Sequence, residues 1–306
     1  MNRLNNCIAV LIPSYDRPDI LKFTLPSWLR ADCVSRVFVV AEASSQDKLE
    51  MYKDAIESFE KSGRLICKLA MTRIGSVRAR NTLLDLFTED TCEYAVMADD
   101  DYLLLNEGGL LRMARALQSN DKIGAVGGKV IVVKRRADPD FFLNLPLNLA
   151  DLMTRLTGYV FLDIKHGPRY SEFLPPFFMF RKEVMSKMIK YDEVFDTPTG
   201  FREESDFQQQ IKLLGYRLLY DPRAYVIHLA IEGGGNRPKM VIGKRMYWKI
   251  RNHTVFVFKW NNSITERIWY LTSASLLLSM YRPWHFIQVL KGLRDGLHAF
   301  KKISAK

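Results

Sequence analysis

The sequence predicts an α/β fold: a mostly parallel central sheet with helices on both faces, followed by a basic helical extension. Three observations carry this. Short β-branched runs alternate with amphipathic stretches through the first half of the chain, the pattern of strand–helix–strand units. The apolar runs are short and bounded by turn residues, which marks strands rather than buried helices. The 306 residues, 48% of them hydrophobic, suffice for one large domain with an appendage that buries about three quarters of its surface.

Each element follows in order. CIAVLIP reads as a buried strand and SYDRPDILKFTLPSWL as a turn and helix; Asp16 is a candidate cap and Pro18 suits a first helical turn. RVFVVAE is a second strand, and QDKLEMYKDAIESFEKSG a polar helix ending at Gly63. RLICKLAM and SVRARNTLLDLF form the next strand and helix, EYAVMAD and EGGLLRMARALQSN the next, and IGAVGGKVIVV a fifth strand. Residues 134–175, rich in proline and aromatics, read as a long connection over the sheet rim. FFMFRKEVMSKM resumes order, and EESDFQQQIKLLG is a helix closed by Gly215. YRLLY and AYVIHL read as two short strands around an Asp221-Pro222 turn, EGGGNRPK as a glycine-rich loop, and the remainder as helical.

The net charge of +11 is localised. Residues 239–306 hold 13 Lys/Arg against two acids, Glu266 and Asp295, and the rest of the chain is balanced. An electrostatic partner therefore belongs to the C-terminal quarter. The cysteines Cys7, Cys33, Cys67 and Cys92 are dispersed, which reads as free thiols in a reducing compartment. No signal peptide is visible, since CIAVLI is too short for one.

In a parallel sheet, ligands bind beyond the carboxyl ends of the strands. Asp16, Glu42 and Asp99 all fall at such ends. The run ADDDY places Asp99, Asp100 and Asp101 directly after an apolar strand. If strand geometry persists, Asp99 and Asp101 point the same way and form a hard-cation site of oxygen ligands; the alternative is a solvated acidic turn. In GFREESDF, Glu204 shares helical spacing with Phe207, Ile211 and Leu214. An inward carboxylate is costly and reads either as a general base or as ordinary acid enrichment of a first helical turn.

Taken together, VLIPSYDRPDILKFTLPSWL, FVVAEASSQD, GSVRARNTLL, ADDDY, FLPPFFMFRKEV and REESDF resemble, in order and spacing, family-2 glycosyltransferases of the GT-A fold. The resemblance runs from Ile8 to about His228. It implies transfer of one sugar from a nucleotide-diphosphate donor to an acceptor hydroxyl of a glycan or lipid-linked molecule, with inversion, assisted by Mn2+ or Mg2+. It implies a transferase domain over residues 1–238, with a nucleotide half (1–133) and an acceptor half (134–238), before the extension at 239–306. Implied nucleotide residues are Pro13, Tyr15, Asp16, Arg17, Glu42, Arg78, Arg80, Asp99 and Asp100, with Asn81 beside them. Implied metal ligands are Asp99 and Asp101, with His228 either a third ligand or a satisfied strand-end histidine. Glu204 matches the family's base, with Glu203 or Asp206 orienting acceptor or donor. Arg237 and Lys239 are phosphate partners if their loop closes, or part of a plain linker. Glu42 and Ala43 replace the family's usual Asp and Gly, and the Gln-x-x-Arg-Trp signature of processive members is absent.

The uncharged stretch IWYLTSASLLLSMY, 14 residues from Ile268, is shorter than the ~20 needed to span a bilayer. Trp248, Trp260, Trp269 and Trp284 among Lys and Arg fit an in-plane segment on an anionic cytoplasmic leaflet, or a helical subdomain that covers the core or forms a dimer. Rival functions are a retaining transferase, a nucleotidyltransferase, or a nucleic-acid binder. The second lacks its Gly-rich phosphate loop, and the third gives Asp99–Asp101 and Glu204 no role.

Overall fold

A computed structural model describes residues 8–60, 63–133, 167–231, 235 and 240–304. Most of the expected rim connection, and Arg237 and Lys239, lie outside the described residues.

Strands β1 (Ile8–Tyr15), β2 (Val34–Glu42), β3 (Leu65–Ala70) and β4 (Tyr94–Met97) pair in parallel in the order β3-β2-β1-β4. Alternation along β1 sends Ile8, Val10 and Ile12 to one apolar cluster and Ala9 and Leu11 to the other, as a two-residue period dictates. Helices α1 (Pro18–Leu29), α2 (Gln46–Glu60) and α4 (Glu107–Ser119) cover the first face, and α3 (Ser76–Glu89) covers the second.

Beyond β4 the sheet is mixed. β8 (Phe178–Arg181) lies between β4 and β6 (Ile123–Val132), antiparallel to both. All four of its residues are buried, and nothing in so uniform a composition encodes a strand's direction. β9 (Arg217–His228) runs parallel to β6, while β5 (Tyr102–Leu103) and β7 (Arg169–Tyr170) pair antiparallel with β9. β9 is one strand, not the two expected. Its pairing with β6 slips between Gly127 and Lys129, so residues 221–224 bulge opposite Gly128. A bulge accommodates Pro222, which has no N–H for the ladder.

Pro18 opens α1, but Asp16 does not cap it. Asp16 has φ +54° and its Oδ1 accepts from Ser44 N at 2.8 Å, tying the end of β1 to the end of β2. Cys33 and Cys67 are outside any disulfide, whereas Cys92 is disulfide-bonded, which corrects the reading of four free thiols.

The extension forms α6 (Ile242–Trp260), α7 (Ile264–Tyr281) and α8 (Phe286–Ser304) around a small apolar cluster of Met246, Ile250, Ala274, Leu278 and Val289. α8 meets α6 through Gly292 and Gly296. A Cβ at Gly292 would stand 2.2 Å from Ile250 Cγ2 and 2.6 Å from Tyr247 O. Gly292→Val is therefore expected to destabilise the α6–α8 pair by about 2 kcal/mol, measured as a lowered denaturation midpoint. α6 also packs Val255 and Phe256 on Phe195, just ahead of α5 (Glu203–Leu213). The extension is thereby joined to the segment that carries the REESDF acids.

Candidate active site

Strand geometry stops at Met97. Asp99 to Tyr102 form a turn closed by Tyr102 N donating to Asp99 O at 3.1 Å. The condition for Asp99 and Asp101 to share a strand face, that strand geometry persists through them, is therefore not met. Two arginines divide the three carboxylates. Arg17 Nη1 lies 3.1 Å from Asp100 Oδ1 and 3.3 Å from Asp101 Oδ2, and Arg80 Nη2 lies 3.0 Å from Asp99 Oδ1. Asp100 and Asp101 are buried. Asp100 accepts a further bond from Ser14 Oγ at 2.8 Å, and its backbone carbonyl accepts from Thr24 Oγ1 at 2.7 Å. Burial outweighs Arg17 and pushes the Asp100 carboxyl up to about 7. Opposing cations, Arg17 at the N-cap of α1 and Arg80 one turn into α3, are what make three adjacent acids tolerable here.

Arg80 extends this network to the second acidic motif. Its guanidinium is buried, with Nη1 2.5 Å from Glu203 Oε1 and Nη2 3.6 Å from Glu204 Oε1. Tyr191 packs under it with the ring centroid 5.8 Å from Cζ. Glu203 is 2% exposed and sits within 3.4 Å of Ser76 Oγ. Glu204 lies on the face of α5 that also carries the fully buried Phe207 and Ile211. Burial, then the charge of Glu203, pushes its carboxyl up to about 8 against the opposing pull of Arg80. The two adjacent glutamates thus differ: Glu203 is the close partner of Arg80, and Glu204, at the longer distance from the same cation, carries the carboxyl that burial raises.

Asp206 does not join them. Two residues along a helix is a turn of about 200°, and Asp206 points at the end of α6. There it meets Lys259 Nζ at 2.9 Å and Trp260 Nε1 at 2.8 Å, with no exposure. Through these contacts Asp206 joins α6 to α5.

The remaining nucleotide-side residues separate. Pro13 is buried within β1. The Tyr15 ring lies under the Arg73 guanidinium at 5.1 Å, and its carbonyl accepts from Gly235 N at 2.7 Å. Glu42 is 1% exposed, and its Oε2 accepts from Ile74 N at 2.7 Å and Gly75 N at 3.2 Å. It ties the end of β2 to the start of α3 and offers no exposed carboxylate. Arg78 stands at the surface, paired with exposed Glu193 at 2.9 Å. Asn81 clamps the Tyr191 backbone through both its amide groups. Ser14, Tyr52 and Arg73 had no sequence signal; Tyr52 reaches the site by accepting from Arg17 N at 2.9 Å and sharing a bond with Ser14 Oγ at 2.7 Å.

His228 Nε2 lies 3.2 Å from Asp101 Oδ2. Carboxylate oxygens suit Mn2+ or Mg2+ by donor type, and an added imidazole nitrogen suits Mn2+ rather than Mg2+, so the residues fit such an ion chemically. Among the described residues, no three His, Cys, Asp or Glu side chains converge as a ready-made metal cluster.

Solved structures share this fold. The chain superposes on the mannosyltransferase PcManGT of Pyrobaculum calidifontis, solved with GDP-Man and Mn2+, with a TM-score of 0.58 at 18% identity over 97% of this chain and 78% of that one. It superposes on residues 1–349 of S. aureus TarS, solved with UDP-GlcNAc, with a TM-score of 0.64 at 16% identity over 96% and 81%. At such identities these likenesses establish the fold, a GT-A architecture. No curated protein matches in sequence. The family model described as glycosyl transferase family 2 matches residues 9–188, a span that takes in the carboxylate turn, Arg17 and Arg80. With more than half its length inside that match, the chain belongs to glycosyl transferase family 2.

Proposed function

We propose that the protein transfers a single sugar from a nucleotide-diphosphate donor to an acceptor hydroxyl, with inversion, using Glu204 as the base. One observation carries this reading. Arg80 bridges Asp99, on the strand-end side where a donor diphosphate binds, to Glu203 and Glu204 at the start of α5. Donor-side and acceptor-side acids are thus held in one network. Glu204 takes the proton from the attacking hydroxyl, and its raised pKa makes it a stronger base than a solvated carboxylate. Arg80 and Glu203 fix its position. A divalent ion held by Asp101, His228 and Asp99 would supply charge stabilisation to the leaving diphosphate. Arg17, between Asp100 and Asp101, is placed to exchange one of its carboxylates for a phosphate oxygen.

The donors named for the structural neighbours supply the first probes. Release of UDP from UDP-GlcNAc, or GDP from GDP-mannose, with Mn2+ is expected, and with EDTA in place of Mn2+ it is expected to fall to background. Failure of every nucleotide sugar in a broad panel to yield nucleoside diphosphate overturns the reading.

The acceptor belongs near a membrane. Ile264, Ile268, Leu276 and Met280 recur at multiples of four along α7 and are exposed, as are Trp269 and Trp284. They lie within the strongly basic quarter. Among the described residues no helix is long and apolar enough to cross a membrane. An in-plane position on an anionic leaflet uses both features. Flotation with phosphatidylglycerol vesicles is expected to carry the protein, high salt or Trp269→Ala/Trp284→Ala to release it, and neutral vesicles to carry less. Absence of binding to either vesicle removes this part of the proposal.

A further inference from the structure

We propose that His253, on α6, is a positioning residue for the acid pair Glu203–Glu204, acting through Arg202. This rests on Glu204 being the base.

Arg202 immediately precedes α5 and its carbonyl accepts the first helical bond, from Asp206 N at 2.9 Å. Its backbone is left-handed, with φ +76° and ψ −5°, a region that non-glycine residues hold only when their surroundings over-determine it. The surroundings here do so. The side chain is 2% exposed, and its guanidinium packs against Phe256 at 4.6 Å, Phe201 at 5.4 Å and Phe173 at 5.7 Å. Arg202 Nη2 lies 2.8 Å from His253 Nδ1.

Arginine only donates, so Nδ1 accepts and the ring proton sits on Nε2. That tautomer also satisfies the opposite side, where Nε2–H meets Tyr270 O on α7 at 3.3 Å. Burial and the adjacent guanidinium hold the ring neutral. The neighbouring Asn252 donates to Phe201 O at 2.9 Å and to Thr197 Oγ1 at 2.7 Å. α6 therefore grips the chain on both sides of Gly200, a residue where a Cβ would stand 3.0 Å from Glu203 Oε1. Release of Arg202 would free the start of α5, and with it the direction of Glu204. A shift of about 1 Å in a reacting group is enough to cost on the order of a hundredfold in rate.

The test compares His253→Leu, which keeps bulk without an acceptor, with His253→Asn, which keeps an acceptor oxygen near the Nδ1 position. With Mn2+ and whichever nucleotide sugar of that panel is turned over, His253→Leu is expected to lower kcat by at least about tenfold. UDP or GDP affinity, measured by calorimetry with Mn2+, stays within about twofold, because the donor side is untouched. His253→Asn recovers most of the rate. A rate near wild type for His253→Leu, an equal loss for His253→Asn, or a parallel loss of nucleotide affinity overturns the proposal. Hydrogen exchange separates this from failure of the base assignment. Faster exchange of the amides of residues 203–206 in His253→Leu, with β1 and β4 unchanged, is expected whatever Glu204→Gln does to turnover. Unchanged exchange there overturns the proposal even if no sugar is transferred.

Discussion

Glu204→Gln is expected to lower turnover by about 10²–10⁴-fold, the usual contribution of a positioned base, while leaving nucleoside diphosphate binding nearly intact. The substitution keeps the shape of the side chain and removes only its capacity to take a proton. Glu203 cannot substitute, because its carboxylate is buried against Arg80 at 2.5 Å. The pH dependence should share this origin. Burial and Glu203 raise the Glu204 carboxyl to about 8, so it is mostly protonated at pH 7 in the free protein, and only the anion can act. The wild-type kcat/KM should therefore climb between about pH 6 and 8, the lower limb of a bell, and the residual activity of Glu204→Gln should lack that limb. The stability sign is opposite. A carboxyl raised in the folded state stabilises it fully below the unfolded value near 4.5, and that contribution is lost as pH rises through about 8. Denaturant midpoints of wild type should fall over this interval more steeply than those of Glu204→Gln. A variant that keeps near-full turnover removes Glu204 as the base.

The sequence made the first half of this fold legible because each strand there is a short β-branched run and each helix has its own apolar face. That is local information, and β1 to β4 with α1 to α4 lie where such patterns place them. Strand direction is not local, which is why the apolar run of β8 reveals order but not antiparallel pairing. Partner choice is not local either. Glu42, Asp206 and Arg78 have the right chemistry at the right spacing, yet backbone amides, Lys259 and Glu193 respectively hold them. Periodicity did identify the inward face shared by Glu204, Phe207 and Ile211. It gave no sign of the Arg202–His253 contact, which joins residues 51 apart in the chain. Basic, aromatic helices were visible in residues 239–306, but their grip on the segment before α5 depends on tertiary packing. Nor does a run of three aspartates announce two arginines, one of them beyond β1 and the other one turn into α3.

Arg80→Met should then be the most destabilising single change at the site. Methionine fills much of the space and leaves Glu203, at 2% exposure, and Asp99 without their shared cation. Removing one member of a buried ion pair costs about 3–5 kcal/mol, since the remaining charge stays desolvated. In a chain of this length that corresponds to a fall in Tm of roughly 10 °C. The loss should depend on pH with a definite sign. Without Arg80 the carboxyl of Glu203 is raised, so acid neutralises it and the deficit narrows as pH falls. Adding Glu203→Met should restore part of the lost stability, because an apolar pair replaces a stranded charge. It should not restore turnover, since Glu204 then lacks both neighbours that fix its position. Thermal and denaturant melts of the two single variants and the double variant measure this coupling. A deficit for Arg80→Met below about 1 kcal/mol, the level of a surface pair, or one that does not change with pH, would show that Arg80 is not the cation on which the two acidic motifs depend.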